Sequence, residues 1–170
     1  LPPTAWDSLT YHLTGPKLYL AAHRFIPDVD IVHLGFPALV EMLYMLGMSL
    51  GSPSVAQIIG WEFGVLTLLL IYVVARRYLS PPTGWLAMAL LLSAPTIVML
   101  LHWAYVDVAL MFYELGAVYA FLRWRELEDR RWLVAAGVFC GFGMGAKYTV
   151  VSLTISLGLL VLWRRRALLI

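Results

Sequence analysis

Charged residues are scarce in this chain, at 13% of 170 residues, where a soluble domain carries about 25%. The apolar share is 62%, against about 45–50% for an ordinary globular domain, and the mean hydropathy is +0.83. So large a surplus exceeds what a core alone can absorb, and it must face lipid or other membrane helices. There is a single cysteine, Cys140, in an apolar glycine-rich run. It excludes an internal disulfide and leaves the redox compartment unread. No basic stretch is interleaved with aromatics, so the net charge of +2 does not point to nucleic acid. No basic leader followed by an apolar run and a small-residue cleavage site is present. The chain starts at Leu1 rather than Met and stops at Ile170 inside an apolar stretch. It reads as a piece of a longer protein, in which an upstream helix would supply membrane targeting.

Several catalytic signatures are missing as well. There is no Gly-x-Ser-x-Gly elbow, no Cys-x-x-Cys and no His-Glu-x-x-His. Gly141-Phe142-Gly143-Met144-Gly145 lies within a membrane run rather than after a strand, so it is not a phosphate loop. Internal repeats, coiled-coil heptads and low-complexity segments are absent.

The charge that remains is sorted. Nine of the ten arginines fall in three clusters: Arg76–Arg77; Arg123, Arg125, Arg130 and Arg131; and Arg164–Arg165–Arg166. Cytoplasmic loops collect Lys and Arg, which places all three clusters in the cytoplasm. The apolar stretch between Arg77 and Arg123 then has both ends on one side and must cross twice, with its turn between Ser93-Ala94-Pro95 and Val106-Asp107. A single helix from Arg131 to Arg164 would run roughly 50 Å, longer than the bilayer core, so a break is expected at Gly145-Ala146-Lys147. The predicted architecture is an all-α polytopic bundle with about five spans, 55–78, 83–100, 107–124, 132–146 and 148–163. Residues 1–54 form an extracytoplasmic loop with interfacial helices, and 55–170 form the bundle. In the loop, Ser8 to His23 is an amphipathic segment interrupted at Gly15-Pro16. Pro27, Asp28 and Asp30 mark a polar connection. Pro37 to Leu50, about 14 residues and roughly 21 Å, is short for a span and suits the interface. Trp61, Trp85, Trp103, Trp124, Trp132 and Trp163 fall near predicted ends, as in an aromatic belt. Gly137, Gly141 and Gly145 share a helix face and permit close helix packing.

Ionisable groups at membrane depth are costly and therefore informative. They are Asp7, His12, Glu41, Glu62, Asp107, Glu114 and Lys147. Asp7 precedes a helical start and can cap it, or it can hold a carboxylate over the outer face. Asp107 starts a crossing on that same side. Two carboxylates at a water–lipid boundary can bind a divalent cation, or one can act as a general base. Glu114 lies seven residues on, about 10 Å deeper on the same face. Glu62 and Glu114 are expected to face the bundle interior and find hydrogen-bond partners. Lys147, beside Tyr148, ends a helix outside, where a cation either snorkels or meets a phosphate. His12, His33 and His102 lie outside without metal-ligand spacing.

The order of these pieces resembles the polyprenyl-phosphate-sugar-dependent glycosyltransferases of the GT-C type, in the branch of the protein O-mannosyltransferases and aminoarabinose transferases. The matching stretches are Trp6-Asp7-Ser8-Leu9-Thr10-Tyr11-His12, Phe36-Pro37-Ala38-Leu39-Val40-Glu41, Val74-Ala75-Arg76-Arg77-Tyr78, Tyr105-Val106-Asp107 and Gly145-Ala146-Lys147-Tyr148. They cover most of the chain and correspond to the amino-terminal half of such an enzyme without its first helix. The resemblance implies a sugar donor bound from the membrane, Asp7 as base, and Asp107 in support or as a metal ligand with Asp7. It also implies Lys147 at the donor phosphate, with Tyr148, His12 and His33 completing the substrate contacts. Two departures stand out. Asp7 is followed by Ser8 where many relatives have Asp-Glu. Gly35-Phe36-Pro37 replaces Lys-Pro-Pro, which removes a phosphate-binding lysine and points to another donor group such as His33.

The expected function is transfer of a sugar from a polyprenyl phosphate to an acceptor at the outer face of a bacterial inner (plasma) membrane, with a divalent cation as the one candidate cofactor. A non-catalytic integral subunit of a larger membrane complex is the alternative. A transporter using Glu62 and Glu114 is a third reading, disfavoured because no charged residue occupies the inner half of a span.

Overall fold

The computed structural model describes residues 2–26 and 30–167. Pro27 and Asp28 of the expected polar connection lie outside them. Among the described residues the fold is all-α. A short π-helical turn, Ser8–His12, leads into α1 (Thr14–Ala22), and a 3-10 turn, Val32–Gly35, leads into α2 (Leu39–Leu50). Then follow α3 (Pro53–Tyr78), α4 (Pro81–Ser93), α5 (Pro95–His102), α6 (Asp107–Leu127) and α7 (Arg130–Ala146). A 3-10 turn, Tyr148–Val150, precedes α8 (Val151–Ala167).

Local chemistry sets these boundaries. Pro53, Pro81 and Pro95 each stand at the start of a helix, where the missing N–H costs nothing and the fixed φ is already helical. Ser80 caps α4 by accepting from the Thr83 N–H at 3.3 Å, and Asp129 caps α7 by accepting from the Arg131 N–H at 2.9 Å. Gly15 and Pro16 sit inside the first turn of α1, so the interruption falls at Leu13 rather than at Gly-Pro.

Of the described helices, α3 alone is long and apolar enough to cross a membrane, and α4 with α5 would make a second if the pair is one span. The pair bends by 77° at Ala94, which is extended (φ −79°, ψ 115°), as a residue before proline tends to be. The expected continuous crossing 83–100 is therefore two short helices. The expected break at Lys147 is present, since Lys147 is extended and ends α7.

Helix α6 is the hub, packed most extensively on α7 and also on α3. One core cluster joins Val40, Tyr44, Ala56, Phe63, Val106, Val108, Ala109, Tyr113 and Ala146 around the amino-terminal end of α6. A second joins Ala117, Ala120, Phe121, Trp124, Ala136, Cys140 and Leu157 around its other half. The close α6–α7 approach runs past Gly116, where an added Cβ would stand 2.7 Å from the Phe139 ring. Gly143 abuts Val150, and Gly145 abuts Leu39 of α2, whereas Gly137 and Gly141 face open space. Of the expected glycine face only Gly145 packs, on α2, and the α6–α7 approach runs past other glycines. Trp124 is buried in the second cluster, with Arg164 5.9 Å above its ring, so it is a core residue rather than a belt anchor. Trp132 packs against Tyr119 and Arg123.

At the far end of α6, Arg77 and Arg123 both pair with Glu126 (2.7 and 2.5 Å), and Arg164 pairs with Glu128 at 2.9 Å. One member of each arginine cluster thus reaches the same end of the molecule. Asp107 lies at the opposite end of α6, roughly 30 Å away at 1.5 Å per residue.

Candidate active site

Three separated segments converge at the Asp107 end. Tyr105 is the clamp between them. Its hydroxyl accepts from the Asp7 backbone N–H at 3.3 Å, and its carbonyl accepts from the Tyr44 hydroxyl at 2.6 Å. Asp7 itself is helical (φ −66°, ψ −32°) and makes no cap hydrogen bond, so its half-buried carboxylate is not spent on the backbone. Asp107 occupies the first turn of α6, again without capping it. It pairs instead with Lys147, Nζ to Oδ1 at 2.9 Å, with both side chains more than a third exposed.

At this end lies a cleft of about 230 Å³, lined by Tyr11, His12, His33, Phe36, Pro37, Glu41, Val106, Ala146, Lys147 and Tyr148. Five residues singled out from sequence, His12, His33, Glu41, Lys147 and Tyr148, share that lining. Asp7 and Asp107 stand beside it, and both raise the pKa of the Tyr11 hydroxyl, second to its burial, up to about 12. Aromatic rings rim the opening. Tyr11 stacks on His33 with centroids 4.3 Å apart, His33 meets Phe36 edge-on, and Phe36 meets Tyr148 edge-on.

Sequence reasoning gave no role to Tyr11, Phe36 or Tyr105, which lack charge and look like ordinary membrane aromatics. Glu41 stood out as a costly carboxylate in an apolar run, but its partner did not. In the structure Glu41 Oε1 lies 2.7 Å from His12 Nδ1, with both residues buried.

Other expected participants fall elsewhere. Glu62 is exposed on α3 and Glu114 is half-buried. Neither finds the expected hydrogen-bond partner among the described residues, and the exposure of Glu62 runs against the expectation that it turns inward. His102 is exposed, its Nδ1 2.6 Å from the Val98 carbonyl, outside the cleft. Among the described residues no three His, Cys, Asp or Glu side chains gather to hold a metal ion, and Asp107 already carries Lys147. A cation held by Asp7 and Asp107 alone would lack a third such ligand.

The family model for dolichyl-phosphate-mannose-protein mannosyltransferases matches residues 31–169. The chain belongs to that family. No curated protein and no solved structure matches it. Membership in that family supports a membrane glycosyltransferase of the GT-C type. The match takes in His33, Glu41, Asp107, Lys147 and Tyr148, while Asp7, Tyr11 and His12 precede it and join the cleft through Tyr105 and Glu41.

Proposed function

We propose that this protein moves a sugar from a polyprenyl-phosphate donor to an acceptor hydroxyl or lipid at the outer face of the membrane. The observation that supports the reading is a cleft lined by Lys147 and Tyr11, with Asp107 paired to that lysine and Asp7 close to that tyrosine, in a chain of this family.

In the proposed reaction the acceptor oxygen attacks the anomeric carbon and its proton passes to the Asp7 carboxylate. The bond between that carbon and the phosphate oxygen breaks, and the electron pair leaves with the polyprenyl phosphate. Negative charge therefore grows on the phosphate, where the Lys147 ammonium offsets it. Asp107 holds Lys147 in place across the α6–α7 junction. No step is routed through a cation. The aromatic rim of Tyr11, His33, Phe36 and Tyr148 offers ring faces to a sugar and apolar surface to the first isoprene units. The proposed setting is a bundle of about five crossings in a bacterial inner membrane, with the arginine end cytoplasmic, which puts the cleft outside.

Replacing Asp7→Asn in the full-length protein tests the reading. Transfer from a polyprenyl-phosphate sugar is expected to fall by about 10²–10⁴ with the fold intact. Unchanged rates would remove Asp7 from the mechanism. A second reading, a non-catalytic subunit of a larger membrane assembly, draws on Glu62. A carboxylate exposed within a spanning helix is costly in lipid and asks for a partner from another helix or chain.

A further inference from the structure

One ionisable pair in the cleft has no task in the reaction above. His12 and Glu41 are 3% and 9% exposed, held together at 2.7 Å through Nδ1 and Oε1. Withdrawing an imidazole and a carboxylate from water is costly, and a pair that served packing alone would be expected to satisfy all its polar atoms. This pair does not. Glu41 Oε2 is buried with no partner, as is Ser8 Oγ in the same turn as His12. His12 Nε2 likewise makes no hydrogen bond among the described residues. Since Nδ1 is taken by Glu41, Nε2 is the ring nitrogen left for a ligand, and His12 lines the cleft that also holds Lys147.

We propose that Glu41 is a positioning residue that orients His12 so that its Nε2–H binds the donor phosphate beside Lys147. The proposal rests on the transferase reading and adds a residue pair to it. In the imidazolium both ring nitrogens donate, Nδ1 to Glu41 and Nε2 to a phosphate oxygen. A carboxylate–imidazolium–phosphate chain then runs through the cleft that Phe36 and Pro37 also line. Hydrogen bonds between charged groups are short and roughly twice as strong as neutral ones. The chain strengthens as the phosphate gains charge on leaving, so its effect is larger on the product than on the donor.

Farnesyl phosphate mimics the leaving group, and farnesol and inorganic phosphate are its two halves. Binding of all three to the full-length protein in detergent micelles gives, for each variant, the preference for farnesyl phosphate over farnesol. The wild type is expected to prefer the phosphate at least tenfold. Glu41→Gln and His12→Gln are each expected to reduce that preference about tenfold while leaving farnesol binding unchanged, and the double variant is expected to lose no more than either alone. A chain that merely misfolded would lose farnesol too. Should Glu41→Gln unfold the protein, His12→Gly with added 4-methylimidazole supplies the second readout. The preference returns with Glu41 present if the proposal holds. Additive losses, a preserved preference in both single variants, or no rescue overturn it. Loss on Lys147→Gln with none on His12→Gln sinks this proposal alone, whereas a wild type without any preference sinks the transferase reading with it. Inorganic phosphate binding as tightly as farnesyl phosphate would mark a free-phosphate site and refute the donor assignment.

Discussion

Lys147 ends α7 and carries its ammonium 2.9 Å from Asp107, the first residue of α6. Both side chains are more than a third exposed, so water screens the pair and its share of stability is at most about 1 kcal/mol. Replacing Lys147→Gln is therefore expected to leave the unfolding midpoint nearly unchanged and to lower transfer by about 10–100-fold, because the growing phosphate charge loses its counter-ion. Thermal melts beside initial rates separate the two effects, and equal damage to both would mean that the lysine is structural. Tyr11 gives a prediction of a different kind. Burial first, and Asp7 and Asp107 after it, push its hydroxyl up to about 12 from 10.0. The phenol thus stays protonated through neutral pH and is a donor, not a base. The unfolded chain releases this proton near 10 and the folded chain near 12, so the unfolded state is favoured progressively as pH climbs through that window. Tyr11→Phe is expected to flatten the loss of stability between pH 10 and 12, measured by denaturant melts in detergent, and to leave the profile below pH 9 untouched. At this scale the sequence was informative about charge and blind to partnership. Asp7, Asp107, Lys147 and the two histidines declared themselves because ionisable groups are rare in so apolar a chain. Tyr11, Tyr105 and the Glu41 contact of His12 did not, because a hydrogen bond spanning 29 residues has no local signature.

At the level of helices, the breaks were readable in part and the pattern of faces was not. Proline and glycine act on the backbone through local sterics, so the stop at Lys147 could be placed without knowing any neighbour, whereas Pro95 marked a turn without showing that it bends the expected crossing 83–100 by 77°. Which glycine meets a neighbouring helix depends on how each helix is rotated, and an apolar helix in an apolar chain offers no amphipathic stripe to set that rotation. Gly137, Gly141 and Gly145 share a face by spacing, yet Gly116 and Gly143 make the α6–α7 contact. The two sets make opposite predictions. Gly116→Ala drives a methyl to within 2.7 Å of the Phe139 ring. It is expected to cost about 1–3 kcal/mol through overpacking, or to push α7 away and disturb the Lys147–Asp107 pair. Gly141→Ala meets nothing within 4 Å and is expected to be neutral or slightly stabilising, since alanine restricts the unfolded chain. Melting temperatures of the two variants in one detergent test this. The reverse order would return the packing face to the glycine row.

Across the whole molecule, the separation of charge along α6 links fold to function. Arginines from three distant segments meet Glu126 and Glu128 at one end, while Asp7, Asp107 and Lys147 meet at the other. An α-helix of 21 residues spans about 31 Å, close to the hydrocarbon thickness of a bilayer. In the proposed orientation the two clusters lie on opposite membrane faces, with the basic one cytoplasmic. Accessibility labelling checks the arrangement directly. Cys140 is buried in the second core and is first replaced by alanine. Single cysteines then go in at the exposed positions Asp30, Thr149 and Arg130. In intact cells a membrane-impermeant maleimide is expected to label Asp30→Cys and Thr149→Cys, and to reach Arg130→Cys only after the membrane is opened. Labelling of Thr149→Cys and Arg130→Cys from the same side would mean that α7 does not cross. The cleft would then lose its outer address, and with it the reason for a donor arriving through the lipid at Lys147.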